Sequence, residues 1–295
     1  MRYEIRDILY RGISRISYLV SRIFGCGMVD FLFAVGYDER KTQGGIIMAK
    51  ILEVCIDSLA SARAAIAGGA DRLELCGALS IGGLTPYAEL LRQIRRESDI
   101  AIRCMIRPRA GDFLYSPEEL ALMEAQIRTL KELGTDGFVL GCLDAEGHLD
   151  AKAMEPLLRA AEGMPLTLHR CIDVSRDLKK TYLDAKALGF DTVLTSGGEG
   201  NCTRGMEQIR RLLELEGPQV LIGAGVNANV VRQFRGELPK AEAFHMSGKT
   251  LVQSGMRYRK EGVPMGIEGY DEWHLPQTGE EAVRAARAAL DRDAP

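Results

Sequence analysis

Eight short apolar runs alternate with segments of helical periodicity from residue 51 to the C-terminal end of the chain. The runs predict strands over residues 51–56, 72–76, 101–106, 137–141, 166–170, 192–195, 220–223 and 243–246. The segments between and after them predict helices over residues 59–67, 87–97, 117–133, 151–161, 178–188, 204–215, 229–234 and 279–291. Eight β–α units in roughly 245 residues match the size of a closed (β/α)8 TIM barrel. An open doubly wound sheet is the alternative, but no GxGxxG motif follows the first strand.

The first 47 residues differ from the rest because they show no sustained helical or strand period. Their most apolar part is interrupted by Arg22 and Asp30, which argues against a membrane span or a signal peptide. The string Gly44-Gly45-Ile46-Ile47-Met48 is what an in-frame ribosome-binding site, spacer and start codon would encode. We therefore expect residues 1–47 to be an N-terminal extension, a translated upstream leader, and residues 48–295 to be one barrel domain.

Composition restricts the classes of function. With 46% hydrophobic and 27% charged residues, the chain can bury a large core. A formal net charge of -3 and scattered basic residues argue against a nucleic-acid partner, and no segment predicts a membrane partner. The seven cysteines form no CxxC pair, so we expect free thiols in a reducing cytoplasm. No motif indicates an organic cofactor.

Two successive strands each carry a glutamate and, two residues later, a cysteine: Glu53 with Cys55, and Glu74 with Cys76. Side chains alternate between the faces of a strand, so each glutamate points the same way as its cysteine. Two carboxylates and two thiols should therefore share one space in the barrel. Alternatively, either glutamate forms a structural ion pair with Arg72, Arg103 or Arg107.

Other polar residues follow the carboxyl ends of the predicted strands, where barrels carry their chemistry. We predict catalytic roles for Glu53, Glu74, Arg107, Asp112 and His169. Predicted substrate-binding residues are Arg109, Arg170, Thr195, Ser196, Gly197, Gly223, Gly225, His245 and Ser247. The competing interpretations are that His169 is a hydrogen-bonded core residue and that the glycines only permit tight turns.

Nine ordered strings carry a family resemblance: LEVCIDS, GGADRLELC, GGLTPY, IRPRAGDFLYS, LTLHRCID, VLTSGG, GAGV, FHMSGK and MRYR. Through them the chain, from about residue 48 to 262, resembles the CutC copper-homeostasis family, which is unrelated to the radical choline lyase of the same name. The resemblance implies a TIM barrel, a cytoplasmic location, copper handling and self-association as a dimer. It also implies Cu(I) binding through Cys55 and Cys76.

Two functions from different classes remain open on the sequence. In the first, Cys55 and Cys76 bind Cu(I), since soft thiolates suit this ion, and the protein buffers or carries copper. In the second, the barrel is an enzyme, a hydrolase, lyase or isomerase, acting on a small polar or anionic ligand such as a sugar or sugar derivative. Glu53 and Glu74 would then be the acid–base pair, with His169 as proton carrier or electrophile and Arg107 as anchor for substrate oxygens.

Overall fold

The computed structural model describes residues 50–260, 262–263, 265 and 269–292. Within these residues, eight parallel strands close into one barrel in chain order, β1 to β8, and β8 pairs with β1. The predicted TIM barrel is thereby confirmed. The predictions for residues 1–47 lie outside the described residues.

The elements follow the predicted alternation closely. The barrel strands are β1 (Ile51–Ile56), β2 (Arg72–Leu75), β3 (Ala101–Met105), β4 (Gly137–Leu140), β5 (Leu166–Leu168), β6 (Thr192–Thr195), β7 (Gln219–Ile222) and β8 (Ala243–Met246). The helices are α1 (Leu59–Ala67), α2 (Ala88–Glu97), α3 (Pro117–Glu132), α4 (Ala151–Ala160), α5 (Leu178–Ala187), α6 (Met206–Leu213), α7 (Ala228–Glu237) and α8 (Glu280–Asp291).

Local chemistry sets the helix starts. The Ser116 hydroxyl accepts a hydrogen bond from the Glu119 N–H, the Glu119 carboxylate accepts one from the Ser116 N–H, and Pro117 is the first helical residue of α3. Asp150, Asp177 and Asn227 cap α4, α5 and α7 in the same manner. Each cap fixes the point at which the chain turns from the loop at the barrel mouth into the returning helix.

The apolar core lies mainly between the barrel and its helices. Strand residues that face outward, such as Leu52, Val54, Leu73 and Leu75, are fully buried in this layer. The inward-facing residues alternate with them and combine charged side chains, such as Glu53 and Arg103, with two small apolar clusters. The register sets Glu53 opposite Arg72 and His245, and Cys55 opposite Glu74, so the lumen begins with adjacent charged groups.

The hairpin that follows the barrel was not predicted. It consists of the antiparallel strands β9 (Lys249–Gln253) and β10 (His274–Thr278), in a segment where the sequence shows no strand period. Its residues are mostly exposed, so no alternation of apolar and polar residues marks it. In the described part of the chain, every helix is too short or too polar to cross a membrane.

Candidate functional site: a thiol, carboxylate and imidazole cluster

Three groups that can bind a metal ion converge at the carboxyl ends of β1, β2 and β8. Ligand atoms of Cys55, Glu74 and His245 all lie within 4.8 Å of one another, and we call these residues the ligand cluster. His245 Nε2 is 2.9 Å from Glu74 Oε2. Because β8 closes the barrel against β1, two residues 171 positions apart become direct neighbours.

The ligand cluster opens into a cavity of about 370 Å³ in the upper lumen. A second cavity of about 400 Å³ lies beside the hairpin, and Cys55 and Leu79 line both. Cys55 itself is 7% exposed, whereas Glu74 is 3% exposed. The thiol of Cys55 is therefore buried but bordered by open space on two sides.

The proton balance of the ligand cluster is set by His245. Burial alone would lower the pKa of His245, but the Glu74 carboxylate and Cys55 raise it well above its ordinary value of 6.5. In the metal-free protein the His245 ring is therefore protonated at both nitrogens and forms an ion pair with Glu74. A metal ion that takes an imidazole nitrogen must displace this proton.

Cys76 lies behind the ligand cluster. Its Sγ is 3.5 Å from Glu74 Oε2, and its side chain packs in a small apolar group with Met105 and Val139. Burial, followed by the neighbouring Glu74 and Cys55 side chains, raises the pKa of Cys76 well above 9.0. At neutral pH Cys76 is therefore a thiol, and it donates a hydrogen bond to Glu74 Oε2.

A different set of polar groups lies elsewhere around the same cavity. The guanidinium carbon of Arg107 lies 5.1 Å from the centroid of the Phe113 ring, whose other neighbour is the imidazole of His169 at 4.7 Å between centroids. His169 accepts a hydrogen bond at Nδ1 from the Cys171 N–H. Burial and the nearby Arg107 charge lower the pKa of His169 to about 3, so the ring is neutral.

The predicted carboxylate pair is divided between two levels of the lumen. Glu74 lines the cavity, whereas Glu53 is fully buried below it and forms an ion pair with Arg72. Burial alone would raise the pKa of Glu53, but Arg72, His245 and Arg103 hold it below 4.5. Glycosidase chemistry needs two carboxyl groups flanking one bond, but of the predicted pair only Glu74 lines the cavity. The other carboxyl residue that lines it, Asp173, is held by internal hydrogen bonds and by Arg170.

The hydrogen-bond donors of the loop after β6 bind a carboxylate of the same chain. Asp173, in the 3-10 helix Arg170–Val174, accepts hydrogen bonds from the Ser196 N–H and the Gly198 N–H, each at 3.0 Å. It also accepts from the hydroxyls of Thr195 and Ser196 and pairs with Arg170. The predicted anion-binding residues Arg170, Thr195 and Ser196 thus bind a carboxylate of the protein itself, and the Gly197 N–H donates to the Thr195 hydroxyl.

The remaining predicted residues lie away from the cavity or support its walls. Arg109 forms ion pairs with Asp112 and Glu119 on the outer loop after β3, where the Asp112 side chain is 73% exposed. At Gly223 an added Cβ would lie 2.6 Å from Leu194, so this glycine permits the close packing beside His245. Gly225 is exposed, and Ser247 lies in the cavity beside the hairpin.

Sequence reasoning named His245 as a substrate-binding residue and did not group it with Cys55 and Glu74. Its position at the end of the last strand was the available signal, since barrel closure brings that strand next to β1. Phe113 and Asp173 were missed. Neither follows a strand end directly, and both act through loop geometry that a linear pattern does not reveal.

The fold and site together define a class: a (β/α)8 barrel with a buried thiol, carboxylate and imidazole cluster at the carboxyl ends of its strands. The profile of the CutC family matches residues 50–250. A CutC family protein of Chromobacterium violaceum is 40% identical over 247 residues, covering 83% of this chain and 100% of the relative. The human copper homeostasis protein cutC homolog is 38% identical over 250 residues, covering 83% of this chain and 91% of the relative.

A solved structure agrees with these matches. The crystal structure of CutC from Streptococcus agalactiae superposes with a TM-score of 0.63 at 32% identity, covering 67% of this chain and 98% of that one. The chain belongs to the CutC family.

Proposed function

We propose that this protein binds Cu(I) at the ligand cluster and acts in copper homeostasis as a buffer or carrier. The observation that carries the proposal is the convergence of Cys55, Glu74 and His245 ligand atoms within 4.8 Å at a cavity. Thiolate is the ligand that Cu(I) prefers, and imidazole is a second ligand that copper accepts. The human relative's name as a copper homeostasis protein supports the same ion.

The chemistry of the donors fits a cargo ion better than a permanently enclosed one. Cys55 borders two cavities, so an incoming ligand can reach the metal position without opening the barrel. Glu74 has one carboxylate oxygen, Oε1, without a hydrogen-bond partner among the described residues. That oxygen is available to neutralise the positive charge that an ion brings into the lumen.

The thiol pair of Cys55 and Cys76 is the second coordination consistent with a Cu(I) site. It would use two soft ligands on adjacent strands. In the metal-free arrangement, Cys76 donates to Glu74 and is fully buried, so the pair would require Glu74 to give up this contact. The two coordinations differ in whether Cys76 is needed.

Competition for Cu(I) against a chromogenic chelator, under anaerobic reducing conditions, tests the proposal. Cys55→Ala should lose stoichiometric binding, and Cys76→Ala separates the two coordinations by retaining or losing it. Cys142→Ala is the matched control, because Cys142 is an equally buried thiol in the main core beyond the ligand cluster. Binding by Cys55→Ala at the strength of the unaltered protein would refute the proposed site.

We also place the protein in the cytoplasm. All six cysteines in the described residues are free thiols, which suits a reducing compartment. Cu(I) is the oxidation state that such a compartment maintains. Self-association as a dimer stays a prediction.

A further inference from the structure

Arg107 carries a buried positive charge that no carboxylate of the described residues neutralises through an ion pair. Its two terminal nitrogens donate to the carbonyl oxygens of Ile81, Gly83 and Gly111 at 2.9–3.2 Å. The side chain lines the lumen cavity, the residue is 7% exposed, and its Nε has no hydrogen-bond partner in the part of the chain that the structure describes. A fixed cation with a free N–H at a cavity wall favours an anion beside it.

His169 adds a second donor to the same wall. Because Nδ1 accepts from the Cys171 N–H, the proton of the neutral ring is assigned to Nε2. That Nε2 is buried without a partner, although the residue is only 3% exposed and lines the cavity. Leaving such a donor buried and unpaired is destabilising, and a ligand oxygen that accepts its proton in a hydrogen bond would remove this cost.

The third unpartnered atom is an acceptor, Glu74 Oε1. The other carboxylate oxygen of Glu74, Oε2, already accepts hydrogen bonds from His245 and Cys76. The residues that line the cavity of about 370 Å³ therefore include an unpaired donor on the cation Arg107, an unpaired donor on the neutral His169 and an unpaired oxygen on Glu74, whereas Arg170 and Asp173 are paired with each other. Between these groups lie apolar side chains that suit a short carbon skeleton, among them Leu79, Met105 and Leu194.

We propose that the upper lumen is a binding site for a small hydroxycarboxylate anion. Its carboxylate accepts from Arg107 Nε and His169 Nε2, and its hydroxyl donates to Glu74 Oε1. A carboxylate satisfies both donors and the uncompensated charge of Arg107, whereas the hydroxyl satisfies the acceptor. This binding is a second property of the lumen, and it does not require a metal ion in the ligand cluster.

Calorimetric titration of the chelator-treated, metal-free protein tests the inference. The probes are glycolate, L-lactate and L-malate, each compared with its analogue lacking the hydroxyl: acetate, propionate and succinate. At least one hydroxy acid should bind, and about tenfold more tightly than its analogue, since a hydrogen bond to a charged group is worth about 1.5–3 kcal/mol.

His169→Asn is the informative variant, because the asparagine oxygen can still accept from the Cys171 N–H while the Nε2–H is removed. It should weaken hydroxycarboxylate binding about tenfold. The matched control, His148→Asn, changes a half-exposed histidine that contacts Asp144 outside the cavity, and it should bind like the unaltered protein.

Several results would overturn the inference: no binding by any of the three hydroxy acids, equal affinity for the analogues, unaltered affinity in His169→Asn, or tighter binding of inorganic phosphate. If His169→Asn does not fold, nitrogen NMR of the unaltered protein decides instead. The His169 Nε2 resonance should shift on addition of the hydroxy acid, and an unchanged resonance would refute the contact. Because no metal is present, a negative result here leaves the Cu(I) proposal intact.

Discussion

The imidazole of His169 is kept neutral by its surroundings. Burial and the charge of Arg107 lower its pKa to about 3, against an ordinary value of 6.5. In the unfolded chain the imidazole is protonated as the pH falls below 6.5, whereas in the folded chain it is protonated only as the pH approaches about 3. The folded state should therefore lose stability across this window, and the loss attributable to His169 should be about 3 kcal/mol at pH ~4.

Denaturant unfolding of His169→Asn at several pH values measures this contribution. The free energy of unfolding of the variant should fall less between pH 6.5 and pH 4 than that of the unaltered protein. His148→Asn, which alters a half-exposed histidine outside the cavity, is measured over the same pH range as the matched control. Parallel curves for His169→Asn and the unaltered protein would contradict the prediction.

At single residues, the sequence predicted which side chains face the lumen better than it predicted what each of them contacts there. The alternation rule correctly set Glu53 and Cys55 on one face, and the sequence offered Arg72 as a partner of Glu53, which is confirmed. It could not rank the two glutamates by depth. The depth of each glutamate in the lumen depends on the position of its strand along the barrel axis. That position follows from the stagger between neighbouring strands, which the sequence of a single strand does not determine.

At the scale of elements, the 3-10 helix Arg170–Val174 connects β5 to the loop after β6 through Asp173. The Asp173 carboxylate is 4% exposed and accepts from two backbone N–H groups and two hydroxyls of residues 195–198. Asp173→Asn replaces one acceptor oxygen by a donor, which leaves buried N–H groups unpaired. We expect a loss of about 3 kcal/mol in the free energy of unfolding, measured by denaturant titration.

The control for this change is Asp112→Asn, which alters an aspartate that is 73% exposed on the outer loop. Water can replace the contacts of Asp112, so this variant should be destabilised far less. Equal destabilisation of the two variants would show that burial of the Asp173 carboxylate does not determine its contribution.

The same connection explains why the predicted strand over residues 166–170 is two residues longer than β5. The sequence predicted a strand over residues 166–170, but β5 ends at Leu168 because the chain turns into the 3-10 helix that presents Asp173. The hairpin of β9 and β10 was missed for another reason. Its strands have mostly exposed residues, and Pro276 lies within β10, so neither period nor propensity distinguishes them from a loop.

At the scale of the whole molecule, barrel closure determines which charges meet. β1 lies between β2 and β8, so Glu53 has Arg72 on one side and His245 on the other. Arg103 extends across the lower lumen to Thr167, Thr192 and Asp191. The number and order of units could be predicted from the sequence, whereas these contacts exist only once the ring has closed.

The lower lumen gives the last prediction, since Glu53 is a fully buried carboxylate that faces buried arginines. Glu53→Gln keeps the shape of the side chain but leaves Arg72 without its carboxylate, and breaking a buried pair in this manner costs about 3–5 kcal/mol. We expect this loss in the free energy of unfolding by denaturant titration. Glu155→Gln, which breaks a pair between side chains that are 65% and 67% exposed, should change it little.

Combining Glu53→Gln with Arg72→Met should cost less than the sum of the two single changes, because the double variant leaves no unpaired charge at either position. Strict additivity would show that the two residues are not coupled through their ion pair.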